Sequence, residues 1–330
     1  MRATRLRKFG LSLAALSAIA SCGFVVVGHG RALAPAETSG QAAAAGSSSA
    51  ASARPPVPLL WKVSDADNSV YLLGSFHLLR PDDYPLSKDV DAAFEDAESL
   101  LFELPPQDMD SPAMSAKMLQ AGIRRDGRTL QDDLDPGTWA ALQDYAAKNG
   151  LPLAGLSNLE PWLVGLTISI AEMTKQGLDP KLGLDAHFVG AAAAANKPAA
   201  GLESGDEQIA LLAGMDAADQ VQFLAEALDE AAKGSRESAR LHAAWRDGNA
   251  ALLLDEMAAE MKREYPRLYR RINVERNDRW VPKIARLLDD SHDRDTLVVV
   301  GTLHLLGSDG VVEKLRAKGY KVERICSVCK

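Results

Sequence analysis

One internal similarity stands out in this chain, between VYLLGSFHLL (residues 70–79) and VVVGTLHLL (residues 298–306). Each starts as a short apolar run of strand type and continues as glycine, a hydroxyl residue, one spacer, histidine and two leucines. Because glycine lets a strand turn sharply, the pattern predicts that His77 and His304 lie in loops at the carboxyl ends of two strands. If the strands are neighbours, the two imidazoles share one site.

A single Gly-x-x-His motif is common by chance, so the duplication with its flanks is what makes the pattern informative. Two of the six histidines share this local context. The remaining four are weaker candidates: His29 lies in a predicted export segment, His242 and His292 are predicted on surface helices or loops, and His187 stays undecided.

Two carboxylates are predicted at comparable strand ends, Glu103 and Glu203. A carboxylate at such a position can bind a divalent cation, orient an imidazole or act as a general base toward water. It can equally cap a helix or face solvent. From spacing alone, Asp185 and the pair Arg276-Asn277 are weaker candidates.

The folded body is predicted to start at Leu59 with a β-hairpin around the polar turn Ser64–Ser69, followed by a helix at Ser87–Ala97. Residues 112–275 show mainly helical periodicity. The further predicted helices are Pro136–Lys148, Pro161–Gln176, Asp216–Lys233, Val281–Leu288 and Asp309–Lys318. The further predicted strands are Leu100–Phe102, Leu153–Leu156, Pro198–Leu202, Leu297–Val300 and Lys321–Ile325.

Short apolar strands that alternate with helices predict an α/β fold with a mixed central sheet covered by helices. The long helical middle is interpreted as an insertion. No boundary stronger than the linker at residues 37–58 appears, so residues 59–330 are predicted to form one domain.

Composition is that of an ordinary globular protein: 330 residues, 47% hydrophobic and 25% charged. The net charge is −8, although the first 36 residues hold five basic residues and no acidic one. The acidic remainder argues against nucleic acid or an anionic membrane as the main partner.

Residues 1–36 resemble an export segment, with a basic start and an apolar run. Cleavage after a small-x-small site, lipidation at Cys22 within a lipobox-like sequence, and an uncleaved anchor are the three alternatives. Residues 37–58 are an Ala/Ser/Gly/Pro linker. We therefore expect an exported protein, periplasmic or attached to the membrane through its N-terminus. Cys326 and Cys329 then predict a small terminal disulfide loop.

Taken together, these residues resemble the TraB/GumN family, bacterial relatives of the TIKI metalloproteases. That family belongs to a wider superfamily with erythromycin esterase and a haem-binding protein, ChaN. The resemblance spans about residues 57–327. It rests on the order of four marks: Gly74–His77, Glu103, Arg276-Asn277 and Gly301–His304. Similar Gly-Leu-acid stretches at residues 183–185 and 201–203 add to it.

The resemblance implies an α/β fold with two similar halves, each presenting one histidine. From the TIKI branch it implies a cell-envelope hydrolase of peptidase type that depends on Mn²⁺ or Co²⁺, with Zn²⁺ as a further alternative. His77, Glu103 and His304 would be metal ligands and catalytic groups, with Arg276 and Glu203 as further catalytic residues. The substrate would be a peptide or a small molecule.

The same resemblance leaves other functions open. A metal-independent esterase would use His77 as general base, held by Glu103. A haem- or metal-binding protein without turnover would need only ligands, and a scaffold would need none of these residues.

Overall fold

The computed structural model describes residues 54–109, 111–234, 236–290 and 293–329. The predicted export segment, most of the predicted linker and His292 therefore lie outside the described residues. At the end of the predicted linker, Pro56 and Pro58 are already buried, and Val57 N donates to Arg246 O at 2.7 Å. The packed body thus begins slightly before Leu59.

A six-stranded mixed sheet organises the fold, in the order β4-β3-β5-β2-β1-β6. β2, β5, β3 and β4 run parallel, whereas β1 is antiparallel to both β2 and β6. The predicted mixed sheet and hairpin are confirmed. The strands are β1 (Leu60–Ser64), β2 (Ser69–Ser75), β3 (Ser99–Phe102), β4 (Ala199–Gly201), β5 (Thr296–Gly301) and β6 (Lys321–Ile325).

The central strands β2 and β5 are buried at every residue. Because successive side chains of a strand point to opposite faces, burial at every position means that other elements cover both faces of the sheet. This is why both segments lack the alternation of a half-exposed strand and appear as continuous apolar runs.

Helices surround this sheet and form the long middle of the chain. They are α1 (Lys88–Asp96), α2 (Pro112–Ala121), α3 (Pro136–Lys148), α4 (Leu153–Ser157), α5 (Pro161–Lys175), α6 (Leu184–Ala194), α7 (Gly205–Ala213), α8 (Ala217–Lys233), α9 (Arg236–Arg246), α10 (Ala250–Leu253), α11 (Glu260–Glu264), α12 (Pro266–Tyr269), α13 (Glu275–Asp289) and α14 (Val311–Ala317). π-helical turns at Leu254–Ala259 and Arg270–Val274 interrupt the stretch from α10 to α13.

Two elements differ from the sequence-based expectation. The predicted strand Leu153–Leu156 is wrong, since these residues form α4. Its leucines are three residues apart and pack from one helical face against the cluster around Leu130 and Leu142. The predicted helix Val281–Leu288 starts earlier, at Glu275, which brings Arg276 and Asn277 into the first turn of α13.

One large hydrophobic core spans the sheet and its covering helices, and a smaller cluster lies among α3, α5 and α8. Three tryptophans are fully buried: Trp162, Trp245 and Trp280. Within the described ranges, the search for a helix of sufficient length and apolarity to cross a bilayer finds none.

Candidate functional site

Four parallel strands end at the same edge of the sheet, and each delivers a candidate side chain there. β2 leads to His77, β3 to Glu103, β4 to Glu203 and β5 to His304. This edge is where open α/β sheets bind their ligands. The four side chains are buried, with exposed fractions between 0% and 6%. A buried group of two imidazoles and two carboxylates is costly unless its members pair with one another.

His77 pairs with Asp185 at the start of α6. His77 Nδ1 and Asp185 Oδ2 are 2.5 Å apart, and Ser75 Oγ donates to the same oxygen. The carboxylate therefore holds the ring through Nδ1, which leaves Nε2 as the ring nitrogen outside this hydrogen bond. Glu103, which the esterase alternative paired with His77, is not the orienting carboxylate. Its oxygens bond elsewhere.

A close backbone approach explains how α6 reaches the His77 loop. Leu184 N donates to Phe76 O at 3.2 Å, immediately before Asp185. A Cβ on Gly183 would lie 2.0 Å from His77 O, so only glycine fits there. The Gly183-Leu184-Asp185 sequence is thus a docking turn that delivers the carboxylate to the imidazole.

The free energy of protonating His77 reflects two opposing causes. Burial lowers the pKa of His77, but the Asp185 carboxylate outweighs burial, and Glu103 adds to the effect, so this pKa is raised above its usual range. Burial raises the pKa of Asp185, but the neighbouring His77 lowers it by more, so the net shift of this pKa is downward. Among the described residues, His77 Nε2 has no hydrogen-bond partner. A buried, unpaired nitrogen on a basic imidazole is poised to accept a proton.

His304 is held in the opposite way. Its Nδ1 lies 2.7 Å from Asn277 Oδ1, and its Nε2 lies 2.9 Å from Arg276 Nη1. Since the amide oxygen and the guanidinium fix one nitrogen as donor and the other as acceptor, His304 is the neutral tautomer with the proton on Nδ1. Burial and Arg276 together place the pKa of His304 well below its usual range.

Arg276 links this histidine to both glutamates. Its Nη2 lies 2.5 Å from Glu103 Oε2 and 2.5 Å from Glu203 Oε1, and its Nε donates to Glu203 at 3.0 Å. Nη1 also donates to Ile272 O at 3.2 Å. Every N–H of the guanidinium therefore faces an acceptor within the protein. In this arrangement Arg276 has no N–H left to donate to a developing oxyanion of a substrate.

The Glu103 carboxylate is fully enclosed by donors. Gly301 N donates to its Oε1 at 2.7 Å, and Gln208 Nε2 bridges Glu103 and Glu203 at 3.3 and 3.0 Å. Burial raises the pKa of Glu103, and Arg276 lowers it again in part. Trp280 Nε1 donates to Glu203 Oε2 at 3.3 Å, which closes the cluster from the α13 side.

The divalent cation that the resemblance implies would be held by His77, Glu103 and His304. Of the three implied ligands, His304 offers an Nε2 that is engaged by Arg276, and Glu103 has both oxygens engaged, by Arg276 and by Gly301 N. Only His77 Nε2 is without a partner among the described residues. Within the described part of the chain, no group of three or more His, Cys, Asp or Glu side chains is placed to hold a metal ion. The residues as arranged do not fit the cation. Metal dependence itself stays a prediction.

The structure brings together all five residues that sequence analysis selected, and it adds others. Asp185 was only a weak candidate. Its signal was the Gly183-Leu184-Asp185 stretch, which is similar to the family pattern. Gln208 and Trp280 were missed, because neither lies in a motif or at a strand end.

His242 was predicted on the surface, and this is wrong. It is 3% exposed, and its Nε2 lies 2.8 Å from Asp83 Oδ2. The His242 ring packs edge-on against Phe76, and the neighbouring Trp245 donates from Nε1 to Gly74 O at 2.9 Å. Through these contacts α9 supports the backbone of the first Gly-x-x-His loop. His242 Nε2 and Trp245 Nε1 are hydrogen-bonded, as buried polar groups generally are.

Comparison with known proteins assigns the chain to a family. The sequence profile of the TraB/PrgY/gumN family matches residues 59–324. The chain belongs to the TraB/PrgY/gumN family. It is similar to the uncharacterized protein YbaP of Escherichia coli (strain K12), with 22% identity over 250 residues, 74% of this chain and 87% of YbaP. YbaP of Shigella flexneri matches to the same extent. No solved structure matches the chain.

Membership of the TraB/PrgY/gumN family confirms the resemblance drawn from the sequence motifs. All four marks of that resemblance, from Gly74–His77 to Gly301–His304, lie in the centre described above. Both relatives are named as uncharacterized proteins, so the chemistry has to be argued from the centre itself.

Proposed function

We propose that this protein is a hydrolase of amide or ester bonds in which His77 is the general base. One observation carries the proposal: His77 is buried, its Nδ1 is held by Asp185, and its Nε2 has no partner among the described residues. An imidazole oriented by a carboxylate through Nδ1 is the arrangement that hydrolases use to take a proton from an attacking group.

In the proposed reaction, His77 Nε2 accepts a proton from water as the water oxygen attacks the substrate carbonyl carbon. Asp185 keeps its bond to Nδ1–H and balances the imidazolium charge. When the C–N or C–O bond of the substrate breaks, the proton on Nε2 passes to the leaving group. Water is thus divided between the two products, and His77 returns to its neutral form.

The residues around Arg276 set the electrostatic potential at His77. Glu103 contributes to the raised pKa of His77, and Arg276 opposes it. Because Arg276 binds both glutamates, it keeps their charges from destabilising the buried centre. We propose that Glu103, Glu203, Arg276 and His304 shape the electrostatics of the base and do not exchange protons themselves.

The substrate class is a proposal from kinship, whereas the metal dependence that kinship also implies is not supported by the contacts of Arg276. Peptides and small-molecule esters are both candidates, and Mn²⁺, Co²⁺ and Zn²⁺ are the cations to test. Export to the cell envelope also stays a proposal, because residues 1–36 lie outside the described ones. The disulfide between Cys326 and Cys329 supports it, since such bonds persist in oxidising compartments.

The test is hydrolysis of fluorogenic peptide and ester panels by the purified full chain, with and without a chelator. His77→Gln is expected to lower kcat/KM by about 10²- to 10⁴-fold, the usual share of a general base. His187→Gln is the matched control, because His187 lies in the same helix as Asp185 but packs against the Tyr84 ring at 4.8 Å. It should retain full activity.

Equal activity of wild type and His77→Gln would contradict the proposal. Chelator sensitivity with one rescuing cation would favour the metal-dependent form of the reaction. If no substrate is cleaved and haem addition gives a Soret shift that His77→Gln abolishes, the haem-binding alternative takes its place.

A further inference from the structure

The acceptors around Arg276 are of the kind that divalent cations prefer. Two carboxylates, one imidazole nitrogen and one backbone carbonyl surround the guanidinium, from Glu103, Glu203, His304 and Ile272. Mixed nitrogen and oxygen donors of this kind suit Mn²⁺, Co²⁺ or Zn²⁺ in proteins. Here they all point at a positively charged side chain of the protein itself.

A metal ion and Arg276 cannot occupy this place together. A metal bound to a histidine nitrogen lies about 2.0–2.3 Å from it. Arg276 Nη1 lies 2.9 Å from His304 Nε2, in the direction of the same lone pair. The metal position would therefore fall almost on the guanidinium nitrogen, and the same overlap holds at Glu103 Oε2, 2.5 Å from Nη2.

The arginine has little freedom to leave. Its side chain is 0% exposed, and its guanidinium lies over the Trp280 ring at 4.6 Å. The π-helical turn that ends at Val274 directly precedes α13, and its Ile272 carbonyl accepts from Nη1. Burial lowers the pKa of Arg276, but Glu103 and Glu203 raise this pKa by more than burial lowers it. The guanidinium therefore keeps its positive charge.

We infer that Arg276 is the resident cation of this centre and takes the place of a metal ion between Glu103, Glu203 and His304. The guanidinium supplies the positive charge that the two buried carboxylates require, and His304 serves it as a neutral acceptor. The inference goes beyond the proposed function, because it concerns binding of a cation and holds whether or not His77 acts as a base.

The test is metal binding by the full chain without substrate. Mn²⁺ or Zn²⁺ alone is added to metal-free wild type, Arg276→Ala and Arg276→Lys, and uptake is followed by the loss of the free Mn²⁺ electron paramagnetic resonance signal and by metal analysis. The wild type and Arg276→Lys should take up no ion at this centre. Arg276→Ala should bind about one equivalent, because the vacated space and the freed donors then form a site. Adding His304→Ala to Arg276→Ala should abolish that uptake.

Thermal unfolding gives a second readout. Saturating Mn²⁺ should raise the Tm of Arg276→Ala by on the order of 5 °C and leave the wild type unchanged, since a ligand stabilises only the state that binds it. Stoichiometric uptake by the wild type that is lost in His304→Ala would overturn the inference, and this arm does not depend on whether Arg276→Ala folds. A folded Arg276→Ala that binds no metal would overturn it as well.

Discussion

The two Gly-x-x-His elements are alike in sequence and opposite in chemistry. They follow adjacent parallel strands, with Ser75 of β2 paired to Gly301 of β5. His77 faces a carboxylate through Nδ1 and leaves Nε2 unpaired, whereas His304 donates from Nδ1 to an amide oxygen and accepts at Nε2 from a guanidinium. The partners, and not the motif, decide which imidazole can take up a proton.

The loops also differ in backbone structure. After β5, Thr302–Leu305 forms a 3₁₀ turn, whereas the loop after β2 pairs instead with the segment before α6, through Leu79 and Asp179. Each loop therefore meets a different helix: α6 brings Asp185, and α13 brings Arg276. A duplicated motif has thus come to hold one titrating and one neutral histidine.

The largest effect is expected from breaking the His304 side of this comparison. Arg276→Met leaves two buried carboxylates without their cation and should lower the free energy of unfolding by about 3–5 kcal/mol. Arg279→Met is the matched control, because Arg279 is 45% exposed and lies 4.0 Å from Glu203. It should change the free energy of unfolding by less than about 1 kcal/mol. Denaturant titrations measure both, and equal losses would contradict the account.

A smaller effect is expected where the two motifs touch. A Cβ on Gly74 would lie 2.8 Å from Thr302 Oγ1, which itself donates to Ser75 O at 2.9 Å. Gly74→Ala should therefore destabilise the protein by about 1–3 kcal/mol through overpacking. Gly190→Ala in α6 is the control, because nothing lies within 4 Å of its Cβ. In that helix alanine should stabilise by up to about 1 kcal/mol. A harmless Gly74→Ala would show that the loops are not interlocked.

The smallest effect is a difference in pH dependence. The pKa of His304 is lowered in the folded protein, so acidification below the unfolded value of about 6.5 protonates the unfolded chain first and removes stability. The pKa of His77 is raised, so its contribution is fully present below that value and is lost as pH rises through the folded pKa.

Between pH 7.5 and 5.5, wild type should therefore lose about 1 kcal/mol relative to His304→Gln and gain stability relative to His77→Gln. Unfolding free energies at several pH values measure both slopes. Slopes of the same sign would mean that the two imidazoles have similar partners.

Much of this centre could be predicted from sequence because the ends of the strands can be identified in the sequence. Apolar runs that stop at Gly74, Glu103, Glu203 and Gly301 indicated four strands, and a parallel sheet places the ends of such strands at one edge. The mixed sheet and most helix bounds follow from the same periodicities.

The pairing of side chains could not be predicted, because it depends on the angle at which helices dock. In the esterase alternative Glu103 would hold His77, yet Glu103 pairs with Arg276, and Asp185 holds His77 instead. Gln208 lies in the middle of α7 and carries no local signal. The helix α4 was misread because a short run with leucines at both ends fits a strand and a helix alike.

The difference between the two imidazoles is tested most directly by an imidazole ¹⁵N and ¹H nuclear magnetic resonance titration of the full chain, with His77→Gln and His304→Gln used for assignment. We expect His77 to titrate with a pKa above the ordinary value of about 6.5. We expect His304 to stay neutral, with its proton on Nδ1, as long as the protein is folded. A His304 that titrates near neutral pH, or a His77 that stays neutral down to acid pH, would contradict these expectations.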